Sequence, residues 1–161
     1  MKKRIFKLPL ILVVIAMAAL TLMSCGGGVA DEGIAKIVVE NGENDYTVYE
    51  VDLAKLGEYD EGAISLLEYL ASAENNPLSY KVQGSEYGAF ITEIGALKPS
   101  DSQFLAIYTS EEADFAVPTA DYPTVATVTY GEMTLTSSGV GLSSMTINDG
   151  TVILFRIESF W

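Results

Sequence analysis

The one cysteine of this chain, Cys25, stands between an apolar run and three glycines, in the stretch "LTLMSCGGG". With a single thiol no internal disulfide can form, so whatever folds must be held by its own core. The residues before Cys25 are unlike those after it. Lys2, Lys3, Arg4 and Lys7 open the chain, and an apolar run of 15 residues follows from Leu8 to Leu22. A basic start, a short apolar stretch and a small-residue exit are the parts of a secretory leader. A spanning helix needs about 20 residues, so the run reads as a leader rather than an anchor.

The exit Leu22-Met23-Ser24-Cys25 resembles the lipobox of bacterial lipoprotein precursors. That resemblance implies cleavage before Cys25, with lipid attached to its thiol. It divides the chain into a leader (1–24), a lipidated cysteine with a flexible tether (25–33) and one folded domain (34–161). The spacer from Gly26 to Gly33 reaches at most about 28 Å, which keeps the domain near the membrane. Two or more acyl chains would hold it stably. The expected location is extracytoplasmic, on the cell membrane. Gly26 carries no Asp-type retention signal, which favours the outer membrane where there are two.

All 22 Asp and Glu lie after Cys25, whereas only Lys36, Lys55, Lys81, Lys98 and Arg156 remain there of the nine basic residues, giving 5 − 22 = −17. Nucleic acid, whose binding rests on Lys and Arg, is excluded as a partner. So is electrostatic docking on anionic lipid. The chain has no histidine, which removes Ser-His-Asp and Cys-His catalysis and imidazole metal sites. No G-x-S-x-G elbow, EF-hand loop, Walker loop or G-x-G-x-x-G fingerprint occurs. With 22 acids, a glycosidase-like carboxylate pair arises by chance and carries no signal. The expectation is a protein that is not an enzyme, with no catalytic residue, no metal and no cofactor.

The pattern after residue 33 is short strands with one helix. "IAKIVVENGENDYTVYEVDL" (34–53) reads as two strands around an Asn41-Gly42 turn. Residues 60–75 follow helical spacing at Ala63, Leu66, Leu67, Leu70 and Ala71, with Asp60 and Glu61 at the start and Asn75-Asn76-Pro77 at the end. Leu78, Tyr80 and Val82 alternate as a strand, with a turn at Gly84-Ser85. Tyr87 to Leu97 is extended, and 103–110 reads as a buried strand. Residues 111–124 form an acidic loop with two prolines and a few apolar anchors. A strand over 125–135 follows, with Gly131 as a bulge or turn, then irregular chain, an Asn148-Asp149-Gly150 turn and a closing strand. About seven strands and one helix predict an α+β domain: a β-grasp-like mixed sheet with the helix on one face.

Four pieces stand in order from Ser65 to Trp161: "SLLEYLASA", "YGAFITEIGAL", "FLAIYTS" and "GVGLSSMTINDGTVILFRI". Together they resemble the C-terminal domain of transcobalamin and intrinsic factor and its bacterial surface relatives. In that family the domain closes over a corrin ring beside a helical partner domain, which this chain does not carry. The family's Tyr-Trp is Gln103-Phe104 here, and its Asn-Gly is Thr109-Ser110. The resemblance implies a β-grasp-like domain and maps Tyr87, Gly88 and Phe104 onto the family motif; the ligand groove expected around them is formed by Tyr87, Gly88, Phe90, Thr92, Phe104 and Tyr108. The implied role is a lipid-anchored binding module for a small ligand such as a corrinoid, or for an envelope protein. The alternative is a structural or adhesive cell-surface protein using its sheet edges and acidic loop.

Overall fold

The computed structural model describes residues 28–57, 61–85 and 88–160. Cys25 and Tyr87, and with them the leader and the lipid site, lie outside the described residues. The described residues form a single α+β domain, mostly sheet with one α-helix.

The described residues form eight strands: β1 (Ile34–Gly42), β2 (Asp45–Asp52), β3 (Tyr80–Ser85), β4 (Gly88–Ile94), β5 (Gln103–Thr109), β6 (Thr127–Tyr130), β7 (Met133–Ser137) and β8 (Val152–Ser159). The helix α1 spans Ala63–Ala71. Six strands make one sheet in the order β2-β1-β8-β5-β7-β6, and β3 and β4 pair separately. Within the large sheet β1 and β8 are parallel and the other neighbours antiparallel.

Several expected boundaries move, each for a local reason. The first hairpin does not turn at Asn41-Gly42. Both residues belong to β1, the ladder is irregular between Glu40 and Gly42, and Gly42 pairs with Asp45. The turn is Glu43-Asn44, and Asn44 takes the left-handed conformation at φ 59° that Asn tolerates. The helix is shorter than 60–75. Gly62, at φ 58° and ψ −141°, sets its start, and no acid lies in its first turn. Gly84 and Ser85 are not a turn but the end of β3, paired with Ala89 and Gly88. The expected strand over 125–135 is a hairpin, β6 and β7, with Gly131 at φ 60° in its turn.

Each face of the large sheet carries apolar residues, as strand alternation requires. On one face Ala35, Ile37 and Val39 of β1 and Ile153 and Phe155 of β8 pack against Leu66, Leu67 and Leu70 of α1. On the other, Val38, Ala106, Tyr108, Leu135, Val152 and Leu154 form a second core. No described helix covers that second face. Instead the sheet curls over it, and rings from its two outermost strands, Tyr46 on β2 and Tyr130 on β6, meet. The result is closer to a half-barrel than to a flat sheet.

Candidate functional site

β5 has a neighbour along only part of one edge. Against β8 it is paired throughout, from Gln103↔Ser159 to Thr109↔Ile153. Against β7 only Tyr108 and Thr109 are paired. Just beyond, Ser138 N–H donates to the Ile107 carbonyl at 2.8 Å, and Gly139 N–H turns to the Asp114 carbonyl at 2.8 Å. The chain after β7 therefore leaves β5 at this point. The sequence reading of 103–110 as a buried strand is corrected here: Gln103, Phe104, Leu105 and Ile107 are only half-buried.

A cavity of about 540 Å³ opens along this bare edge. Its walls are Phe90 and Ile91 of β4, Phe104 to Tyr108 of β5, the 116–126 segment and the 137–142 segment, with Glu158. Consecutive residues of β5 line it. Phe104, Ala106 and Tyr108 belong to the half-barrel face, whereas Leu105 and Ile107 pack toward the helix face. A cavity can touch both faces of a strand only where the strand's edge is uncovered. The rim is apolar and open to solvent: Phe90 is 54% exposed, Tyr122 65% and Val117 78%. Phe160 extends this surface by packing on Phe104, ring centroids 5.1 Å apart. Contiguous exposed apolar surface beside a cavity is the usual mark of a binding site.

One polar line crosses the half-barrel face beside the cavity. The Tyr108 hydroxyl donates to Glu158 Oε1. Arg156 Nε stands 3.6 Å from that same oxygen, and Arg156 Nη1 stands 3.4 Å from Glu40 Oε2. Burial pushes the Tyr108 phenol well above its ordinary pKa, and the hydrogen bond to and charge of Glu158 push it further. Tyr108 thus stays neutral and acts as a donor. A phenol held this way anchors Glu158 through its hydrogen bond.

The wall formed by the acidic loop is tied down at its start. Buried Asp114 accepts Thr146 N–H at 2.7 Å through Oδ2. Glu111 accepts Asn148 Nδ2 at 2.8 Å and the Thr151 hydroxyl. Burial raises the Asp114 pKa, opposed by the hydrogen bonds from Thr146. Gly139 lets the two walls touch: a Cβ there would stand 2.9 Å from Ala116 Cα.

The six residues implied for a ligand groove separate as follows. Phe90, Phe104 and Tyr108 line the cavity. Tyr108 does so while nearly buried, at 1% exposure, so it offers a surface and not a free hydroxyl. Thr92 does not line it; it occupies the ladder irregularity between β3 and β4, and its Oγ1 donates to the Lys81 carbonyl at 3.4 Å. Gly88 opens β4 opposite Ser85. Val117, Tyr122 and Val140 were not singled out in the sequence. Their one signal was apolar character inside loops otherwise rich in acids and small residues.

A second cavity of about 280 Å³ lies at the β1–β2 turn, lined by Glu40, Asn41, Gly42, Glu43, Leu97, Arg156 and Ile157. Among the described residues no three His, Cys, Asp or Glu side chains converge as a metal site would require. No described helix is long and apolar enough to cross a membrane.

No protein-family model matches this chain. No curated protein matches it either. Among solved structures its fold is similar to that of a protein of Ruminococcus gnavus, provisionally described as metal-binding. The similarity has a TM-score of 0.50 at 16% identity, covering 81% of this chain and 100% of that one. At that identity the likeness concerns the fold alone.

Proposed function

We propose that this chain is a lipid-anchored, extracytoplasmic, non-catalytic binding module that takes its ligand in the cavity between β4 and β5. The observation that carries the reading is the cavity itself: about 540 Å³, lined by Phe90, Phe104 and Tyr108, and rimmed by exposed Tyr122 and Val117. That volume suits a drug-sized molecule or the edge of a larger one. Apolar walls with an aromatic rim bind by stacking and burial, and exposed backbone on β5 adds hydrogen bonds. A corrinoid is the small ligand the family resemblance implies; an envelope protein is the other class of partner.

Two further parts belong to the proposal. Cys25 carries the lipid, which tethers an acidic body to a membrane it would not approach by charge. The fold is β-grasp-like, a reading supported by the β1–β2 hairpin, the parallel β1/β8 pair and the helix across one face. The metal-binding description of the Ruminococcus gnavus protein is not carried over, because a likeness at 16% identity concerns the fold alone.

Equilibrium titration of cobalamin and cobinamide onto the full chain in detergent tests the small-ligand half. Saturable binding that Phe104→Ala weakens by about 10-fold supports it, since removing one stacked ring costs roughly 1–2 kcal/mol. Absence of binding at about millimolar ligand, an affinity floor near 4 kcal/mol, removes the corrinoid and leaves a protein partner.

A further inference from the structure

The open edge of β5 is a row of unpaired backbone groups set inside an apolar groove. Backbone N–H and C=O of one strand residue point to the same side, and successive residues alternate. The Ile107 carbonyl accepts from Ser138 N–H, away from β8, and the Ser102 carbonyl accepts from Phe160 N–H, toward β8's own end. Residues 103, 105 and 107 therefore face the groove, and 104, 106 and 108 face β8. Gln103 N–H is taken by the Ser100 carbonyl at 2.9 Å. Leu105 N–H, Leu105 C=O and Ile107 N–H have no backbone partner among the described residues.

We infer that this groove receives an extended segment of another protein, added as a strand to the outer edge of β5. A strand inserted there would hydrogen-bond to Leu105 and Ile107. Its alternate side chains would fall toward Phe104 and Tyr108 on one face and Ile91 and Leu142 on the other, all of them cavity walls. Both sets of contacts are apolar, so the segment is apolar on both sides across the span of the cavity.

Charge decides which chain that segment comes from. No Lys or Arg lines the groove, Glu158 does, and exposed Glu112 and Asp121 stand on the loop that forms one wall. The body after Cys25 carries 5 − 22 = −17. A second copy would meet its own charge, which disfavours a homodimer through this edge. The fitting occupant is a partner segment with Lys or Arg at its ends. A free strand edge normally carries Lys or Pro, or is covered, to prevent aggregation. Here the exposed stretch has neither and is recessed between the 116–126 and 137–142 walls, an arrangement that admits one narrow extended chain.

The inference deepens the proposed function and rests on its reading of the cavity. The probe is a lysine-flanked peptide of alternating valine and isoleucine, long enough to span Gln103 to Ile107, titrated onto the isotope-labelled full chain in detergent. Binding should slow amide hydrogen exchange at Leu105 and Ile107 by ~10-fold or more, as two new strand hydrogen bonds would. The same peptide N-methylated at its core amides should bind ~10-fold more weakly. A glutamate-flanked version should bind more weakly still at low salt. Equal affinity for the methylated peptide, unchanged exchange at Leu105 and Ile107, or no binding of the lysine-flanked peptide each overturns strand addition. Cobinamide titrated onto the same sample separates the two claims. Its binding without peptide binding leaves the cavity as a small-ligand site and overturns the inference alone. Failure of both overturns both.

Discussion

Tyr46 of β2 and Tyr130 of β6 stack edge to face with ring centroids 5.2 Å apart and planes at 80°, although four strands lie between theirs in the sheet. The two ends of a six-stranded sheet meet through side chains. Among the described residues no ladder joins β2 to β6. The curl covers the second core and sets β5 where its outer edge faces the cavity.

A double-mutant cycle on this pair measures the closure. Tyr46→Ala and Tyr130→Ala should each destabilise the fold, and the double variant should cost less than their sum. The coupling expected for such an edge-to-face pair is about 0.5–1.5 kcal/mol. Urea denaturation of the four proteins gives the number. Strict additivity would mean that the rings touch without holding the curl.

Tyr108 should be the last tyrosine to ionise. Its folded-state pKa lies above the ordinary 10.0, raised first by burial and then by Glu158. The stability this contributes is therefore full below about pH 10 and is lost as pH rises through the folded-state value. Ultraviolet titration should find one of the nine tyrosines ionising only as the protein unfolds in alkali. Tyr108→Phe should remove that late step. It should also cost about 1–3 kcal/mol, because Glu158 loses a charge-assisted hydrogen bond.

Gly62 cannot be replaced. It sits at φ 58°, and an added Cβ would stand 2.7 Å from both the Leu142 and Met145 carbonyl oxygens. Both strain and backbone overlap act on Gly62→Ala, so the loss should reach about 3 kcal/mol or more. Thermal melts compare it with Gly131→Ala, whose Cβ would meet nothing within 4 Å and which should cost about 1 kcal/mol from its positive φ alone.

Cys25 should carry lipid. Mass spectrometry of the protein recovered from membranes should find residue 25 as the N-terminus with a diacylglyceryl mass on its sulfur. Cys25→Ser should leave the protein unprocessed and release none of it as the lipidated form. An intact leader on the wild-type chain would remove the tether from the account.

Strand periodicity and turn residues made most elements legible, because they are local signals. The ladder that joins β1 to β8 and the ring contact between Tyr46 and Tyr130 are not local. Nothing in the spacing of either tyrosine points to the other. "QFLAIYT" reads as buried because every side chain after Gln103 is apolar or β-branched, yet side chains report on faces and not on edges. The open edge beside Leu105 arises because Gly139, far along the chain, turns away to the Asp114 carbonyl just after Ser138 bonds to Ile107. The family motif points to Phe104 and the groove expected around it to Phe90 and Tyr108, and all three line one cavity. Thr92 was placed by the same reasoning and went elsewhere, because an irregularity in β4 rotates it toward Lys81. Asp114 was indistinguishable from the other acids of its loop until its carboxylate was found buried against Thr146.

The most direct test of the cavity as the binding site is an amide shift map of the full chain titrated with the uncharged aromatic probe N-phenyl-1-naphthylamine. The account predicts saturable binding with shifts at Phe90, Phe104, Tyr122 and Val140, weakened about 10-fold by Phe104→Ala. Shifts gathered instead around Glu43, Leu97 and Arg156, or no saturable binding at all, would contradict it.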